Sequence, residues 1–438
     1  VKTKQHSTAL ALLLQIPAQI ANLPPSRWGV YAQVNFAESW MKLGNRGVPD
    51  SAVVRQNLRG REQETDNRKL ASLLARAVTQ ARELNDPRAE SYALGQLGHL
   101  YERTTQWSEA LTLTQQALSL AQGTQADDIA AIWQWQQGRI LKAQADIKGA
   151  IAAYEQAVKT LESLRQDLVL MNPDVQFSFR DEVEPVYRQL VQLLLQNVDS
   201  LPETTQQQHL EQSRKTIEAL QLAELENFFR EACLSYKPRR IDQIDSTAAV
   251  IYPILLERRL EVIVSLPEQP LQHYGTDLSP DEESRVFDEL RQSLNPAFLA
   301  SEVLPPAQKL YNWLLRPAQQ EIERQGIKTL VFVLDGFLRS LPMAVLHDGK
   351  QYLVEKYNLA LTPSLQLLES PHLASQQFNV LIGGLSEARQ GFSALPGVKQ
   401  EIEQIAAYVS TRSLFNENFT RPNVQKQIEA VPFSVVHL

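Results

Sequence analysis

His437 lies in the run Phe433-Ser434-Val435-Val436-His437-Leu438, an apolar, β-branched segment that predicts a strand. A histidine at a strand end can accept or return a proton near neutral pH, which makes His437 a candidate active-site wall. Its alternative is a buried, hydrogen-bonded packing role. Asp335 and Arg339 follow Ile327–Leu334, a continuous apolar run that predicts a strand buried on both faces. Open α/β sheets place their sites where such strands end, so both are candidate substrate-pocket groups. The alternatives are a turn cap for Asp335 and a surface ion pair for Arg339. The single cysteine, Cys233, sits in Glu231-Ala232-Cys233-Leu234, at the end of a helix with no strand leading into it, and reads as a packed residue. His347-Asp348 is the lone adjacent His/Asp pair, in a turn and without further ligands, so no metal site is expected there. Gly383-Gly384 and Gly397-Val398-Lys399 lack the spacing of a phosphate loop.

The elements that must position these groups fall into two regions. The first half predicts helix after helix, and two segments repeat each other. From Gly98, offsets +3, +9, +12, +16 and +19 give Tyr101, Trp107, Ala110, Thr114 and Ala117. From Gly138, 40 residues on, the same offsets give Leu141, Ile147, Ala150, Tyr154 and Ala157. Glycine and alanine at a helix crossing let two antiparallel helices approach closely, and the larger residues fill the space between hairpins. The pattern resembles the tetratricopeptide repeat (TPR), whose period is about 34 residues; the longer spacing here is expected to lie in a longer turn. Weaker helical segments flank the pair at 27–43, 68–84, 181–197 and about 205–233.

In TPR arrays the first helix of each hairpin lines a concave face. The resemblance places Tyr92, His99 and Glu102 there in one repeat, and Trp135, Arg139 and Lys142 in the next. Arg139 and Lys142 share one helical face and could clamp a carboxylate or an acidic peptide. The plain alternative is a solvated helix face.

Beyond residue 245 the pattern changes. Ala248–Leu255 and Arg259–Leu266 predict a β-hairpin, followed by helices at 279–294 and 307–325. Strands and helices then alternate, with strands at Asn379–Ile382, Ser413–Phe415 and the terminal run. Helices are predicted at Val398–Val409 and after an N-cap at Thr420. Alternation of this kind implies a mainly parallel sheet with helices on its faces.

The run Asp335-Gly336-Phe337-Leu338-Arg339-Ser340-Leu341-Pro342 carries a further resemblance. With it go Tyr352-Leu353-Val354-Glu355-Lys356-Tyr357, Leu361-Thr362-Pro363-Ser364-Leu365, Leu395-Pro396-Gly397 and Val435-Val436-His437-Leu438. Together they resemble the CHAT domain, a caspase-like peptidase module often attached to TPR arrays and frequent in cyanobacteria. Leu334 and Met343 depart from the family, which often has Pro and Phe there. The resemblance implies a TPR-like α-helical array over 1–236 and the N-terminal part of a caspase-like, mainly parallel α/β sandwich over 245–438. It also implies that the sandwich is incomplete at its C-terminus. In the family the last strand continues as His-x-Ala-Thr-His-Gly. His437 matches the first histidine, the general base would lie beyond Leu438, and the cysteine nucleophile sits on a later strand. The expected whole is a caspase-clan cysteine endopeptidase with a partner-recruiting array, this chain lacking the His/Cys dyad and inactive alone. The rival is a non-enzymatic scaffold with a degenerate docking domain. No metal or organic cofactor is implied.

Composition narrows the partners. The net charge of −7 argues against broad binding to nucleic acid or an anionic membrane. A lone cysteine excludes an intramolecular disulfide and fits a reducing, cytoplasmic setting. The apolar stretch 8–23 is interrupted by Gln15 and Pro17 and is too short to span a bilayer. With Lys2 and Lys4 ahead of it, the stretch has a faint signal-peptide look, but a buried first helix is the better reading.

Overall fold

The computed structural model describes residues 13, 15–21, 23–44, 56–171, 179–229, 245–295, 300–365, 379–389, 391 and 393–438. Cys233 and the expected domain boundary within 230–244 lie outside them. The chain divides into two compact units, 1–368 and 369–438.

The first unit begins with helices α1 (Ile16–Ala21), α2 (Arg27–Gly44), α3 (Gln56–Glu83), α4 (Pro87–Arg103) and α5 (Trp107–Gly123). It continues with α6 (Asp127–Ala143), α7 (Ile147–Met171), α8 (Glu184–Leu195) and α9 (Glu203–Phe229). Within the apolar stretch near the start, Ile16–Ala21 form α1, and Leu13 and Ile20 are buried in the first helical core. Among the described residues no helix is long and apolar enough to cross a membrane.

Three-residue turns join α3 through α7, and each is built the same way. Asn85, Thr105, Gln125 and Ala145 adopt positive φ, at 51°, 60°, 54° and 64°. The next residue donates its N–H back five positions: Gln106 to Tyr101 O at 3.0 Å, Ala126 to Ala121 O at 2.9 Å and Asp146 to Leu141 O at 2.9 Å. This left-handed helix stop satisfies carbonyls that a helix end would otherwise orphan. α4, α5 and α6 are each 17 residues long. The 40-residue period therefore comes from long helices, and the expected longer turn is not present.

Packing explains the repeat offsets. Ala110, Ala117, Ala150 and Ala157 are fully buried at the helix crossings. A Cβ on Gly138 would lie 2.7 Å from the Tyr154 ring, so only glycine fits that crossing.

A five-stranded sheet follows, built from β1 (Ala248–Leu256), β2 (Arg259–Ser265), β3 (Gln272–Asp277), β4 (Thr329–Phe332) and β5 (Asn358–Leu361) in the order β3-β2-β1-β4-β5. The β1–β2 and β2–β3 pairs are antiparallel, and β1–β4 and β4–β5 are parallel, so this sheet is mixed. The polar edge strand β3 has no apolar alternation to announce it. Along β1 the period of two sends Ala249 and Ile251 to one face and Val250, Tyr252 and Ile254 to the other. Helices α10 (Pro280–Ser293) and α11 (Ala300–Leu314) cover the first face. α8 and α9, the end of the helical array, cover the second with Leu190, Leu194, Leu210 and Ile217. The helix expected over 307–325 is broken. Pro317 has no N–H to continue the ladder, and a 3-10 turn over Arg316–Ala318 separates α11 from α12 (Gln319–Arg324). α13 (Leu353–Lys356) precedes β5.

The second unit holds β6 (Asn379–Gly384), α14 (Gly397–Tyr408), β7 (Ser410–Phe415), α15 (Arg421–Ala430) and β8 (Val435–His437). Its sheet has the order β7-β6-β8 and both pairings are parallel. Thr420 caps α15, its hydroxyl accepting from the Asn423 N–H, as its position before Pro422 predicts.

Candidate functional site

The groove residues come together on the first helices of the hairpins, and all six are half-buried. Glu102 on α4 is their electrostatic centre. It accepts two bonds from Arg139 on α6, Nε at 2.7 Å and Nη2 at 2.8 Å, and faces His99 Nδ1 at 3.0 Å. Burial pushes its pKa up, but the His99 and Arg139 hydrogen bonds outweigh that and hold it down at about 2. Arg139 also stacks over Trp135, 4.6 Å from the ring centre, while the indole N–H donates to Gln189 Oε1 at 2.8 Å. Tyr92 packs edge-on to Tyr31 and reaches Asn35 and Glu38 with its hydroxyl. Desolvation, then the Glu38 charge, raise its pKa.

Arg139 is thus bound on both sides of a carboxylate fork and is not the open half of a clamp. Lys142, one turn on, has no ion-pair partner among the described residues. It lines a cleft of about 600 Å³ with Arg139, Tyr154, Arg188, Gln189 and Glu257 among the walls. Sequence reading missed the α8 wall. Its one signal was the Glu184/Arg188 spacing of four, a helical ion pair that forms at 2.6 Å.

The loop after β4 is anchored by the helical array. Asp335 is wholly buried and does not cap its own turn. Its carboxylate accepts from Arg188 twice, at 2.7 and 3.0 Å, and from the Leu255 N–H at 3.0 Å. Burial lowers the Arg188 pKa, but the Asp335 and Glu184 interactions raise it further, so the guanidinium stays charged. Arg339 donates to Leu334 O at 3.0 Å and pairs with Glu224 of α9 at 2.5 Å. Ser364 and Tyr252 donate to the buried Glu218 of α9, each at 3.0 Å; desolvation dominates there and raises the Glu218 pKa. Gln221 of α9 reaches Leu334 O at 3.1 Å.

In the second unit His437 ends β8, partly exposed, with Nε2 3.2 Å from Glu401 Oε1. His347 is buried against the Tyr352 ring and accepts from the Gly349 N–H at 3.0 Å. Among the described residues no three His, Cys, Asp or Glu side chains gather as a metal site would need.

Comparison with known proteins bears on the second half of the chain. Residues 304–438 match the family model of the CHAT domain. The array of helical hairpins precedes the matched segment. β1–β3 precede the matched residues, yet they share a sheet with β4 and β5. Comparison with curated proteins gives no match. Solved structures similar to this chain include BtubC (BKLC) from P. vanneervenii, at 19% identity over 54% of this chain and 95% of that one, with a TM-score of 0.28. Another is a chain described as a Podosopora anserina kinesin light chain with nearly identical TPR-like repeats, at 13% identity over 51% and 90%, with a TM-score of 0.31. TM-scores of this size do not define a fold, and the repeat architecture rests on the hairpins themselves.

Proposed function

We propose that a protein built on this chain is a caspase-clan cysteine endopeptidase whose helical array over 1–236 recruits a protein or peptide partner. The observation that carries the reading is the CHAT match over 304–438. The CHAT-like part is taken from 245, because β1–β3 complete the sheet of β4 and β5. Within it His437, at the C-terminal end of a parallel strand, is the active-site wall residue. Asp335 and Arg339 support a substrate pocket from behind, by fixing the loop after β4. The single cysteine, Cys233, precedes the matched segment, so the chain by itself cleaves nothing. A peptidase assay of this chain and of any longer protein that contains it, with a thiol-directed active-site probe, tests this. Cleavage or labelling of the 438-residue chain that disappears in Cys233→Ala would sink the reading.

Partner binding belongs to the concave face of α4 and α6, where Tyr92, His99, Glu102, Trp135, Arg139 and Lys142 converge, with Lys142 the open cation for an acidic group. One observation favours the rival, a non-enzymatic scaffold. The family-motif residues Asp335, Arg339 and Ser364 all bind helices of the array, which is what a docking domain needs. A protein containing this chain that ignores the thiol probe but keeps its partner would establish that alternative.

A further inference from the structure

The cleft beside Lys142 has two kinds of wall. α6 contributes Arg139 and Lys142, α8 contributes Glu184, Arg188, Gln189 and Gln192, and the β1–β2 turn contributes Glu257. Arg139 is engaged by Glu102, and Arg188 by Glu184 and Asp335. Lys142 and Glu257 remain, one ammonium and one carboxylate with no ion-pair partner among the described residues, lining the same cavity. A purely acidic ligand would meet Glu257 and Glu184. A segment that presents a carboxylate beside a basic group matches both unpaired charges.

Arg188 is the second feature. It is 20% exposed and lines the cleft, while its partner Asp335 is 0% exposed and lies behind it. A ligand carboxylate arriving at Arg188 has two residents to replace. Glu184 is 25% exposed and can return to water. Asp335 cannot, because it would be left charged and buried. Displacing Glu184 is the cheap exchange, and it leaves the fork on Asp335 in place.

We propose that this cleft binds a mixed-charge peptide segment, its carboxylate on Lys142 and Arg188 and its basic group toward Glu257, and that Arg188 couples occupancy to the order of the loop that begins at Asp335. The coupling rests on the partner-binding reading above and adds ligand class and regulation to it. Because coupling is reciprocal, whatever loosens the Asp335 anchor also weakens the ligand.

The test uses the whole chain and a capped peptide of alternating Glu and Lys. The affinity is measured for the parent, Lys142→Glu and Asp335→Asn, and amide hydrogen exchange of residues 334–341 is followed in the parent with and without peptide. The expected result is binding to the parent, at least tenfold weaker binding by Lys142→Glu, about fivefold weaker binding by Asp335→Asn and slower exchange at 334–341. Failure of the peptide to bind the parent overturns the mixed-charge site, while the partner-binding reading stands or falls by its own test with Lys142→Glu and a natural partner. Binding that Lys142→Glu leaves unchanged overturns the site. Binding lost in Lys142→Glu, with exchange at 334–341 and the Asp335→Asn affinity both unaltered, keeps the groove and overturns the coupling. If Asp335→Asn does not fold, exchange in the parent decides the coupling alone.

Discussion

Arg188 and Asp335 stand 147 positions apart and form a two-pronged ion pair that joins the helical array to the loop after β4. The pair is closed on its far side by the Leu255 N–H, at 3.0 Å, so the β1–β2 hairpin is held by the same carboxylate. Removing one partner of such a pair leaves an unbalanced charge in the interior. Arg188→Leu is expected to cost roughly 3–5 kcal/mol. The double variant Arg188→Leu with Asp335→Leu should recover much of that, because neither charge is then stranded. Urea unfolding of the three proteins reads the difference, and a single variant as stable as the parent would show the pair to be dispensable.

Gly95 offers a contest between two effects of known size. Alanine is the better helix former by about 1 kcal/mol. A Cβ there would stand 2.2 Å from the ring of Trp133, which is fully buried and hydrogen-bonded to Ser91. Overpacking of this kind costs about 1–3 kcal/mol. Gly95→Ala should therefore lower stability on balance, seen as an earlier loss of helical circular dichroism on heating.

Thr105 turns the same argument round. It holds φ at 60° with a β-branched side chain, a conformation that costs about 1–2 kcal/mol in non-glycine residues. Thr105→Gly should raise stability by about 1 kcal/mol, less the entropy that glycine loses on folding. Chemical denaturation that shows a loss instead would mean the Thr105 hydroxyl, bonded to Thr104 O at 2.7 Å, matters more than the backbone.

His273 on β3 gives a pH dependence. Its Nδ1 faces Asp199 and its Nε2 faces Glu261, both at 3.2 Å, with Arg259 bound to the other side of Glu261. Burial lowers the His273 pKa, but the Glu261 and Asp199 hydrogen bonds raise it further, to above the ordinary 6.5. A raised folded-state pKa contributes stability that is complete below pH 6.5 and is lost as pH climbs through the raised value. His273→Gln should therefore cost more stability at about pH 6 than at about pH 9. Equal losses at both would mean the ring is neutral in the folded protein.

Arg139→Glu with Lys142→Glu is the obvious charge reversal for the groove, but Arg139 is bonded to Glu102. Reversing it sets two carboxylates against each other and should destabilise α4 and α6 by roughly 1–3 kcal/mol. Lys142→Glu alone is the clean probe, with a melting curve close to the parent's and a weaker partner.

Much of the fold was legible because it is local. The offsets from Gly98 and Gly138 mark helix crossings whose small residues are buried, whereas the left-handed helix stops at Asn85, Thr105, Gln125 and Ala145 emerged only from the structure. The β1–β2 hairpin was visible in its two apolar runs. β3 was not, because a polar edge strand is defined by its neighbour's hydrogen bonds rather than by its own pattern. The turn length was misjudged because a period is a sum, and a longer helix and a longer loop give the same total.

The candidate site divides along the same line. Sequence alone determined that Arg139 and Lys142 share a helical face, that Asp335 leaves a buried strand and that the run from Asp335 to Pro342 resembles the CHAT pattern; all depend on spacing along one segment. Only the tertiary structure decided that Arg139 is engaged by Glu102, that Lys142 is open to the cleft, and that Arg188 reaches Asp335. The physical reason is range. Helix and strand patterns come from hydrogen bonds and burial a few residues apart, whereas an ion pair between distant segments forms only if two long side chains meet within about 4 Å, which sequence spacing does not encode.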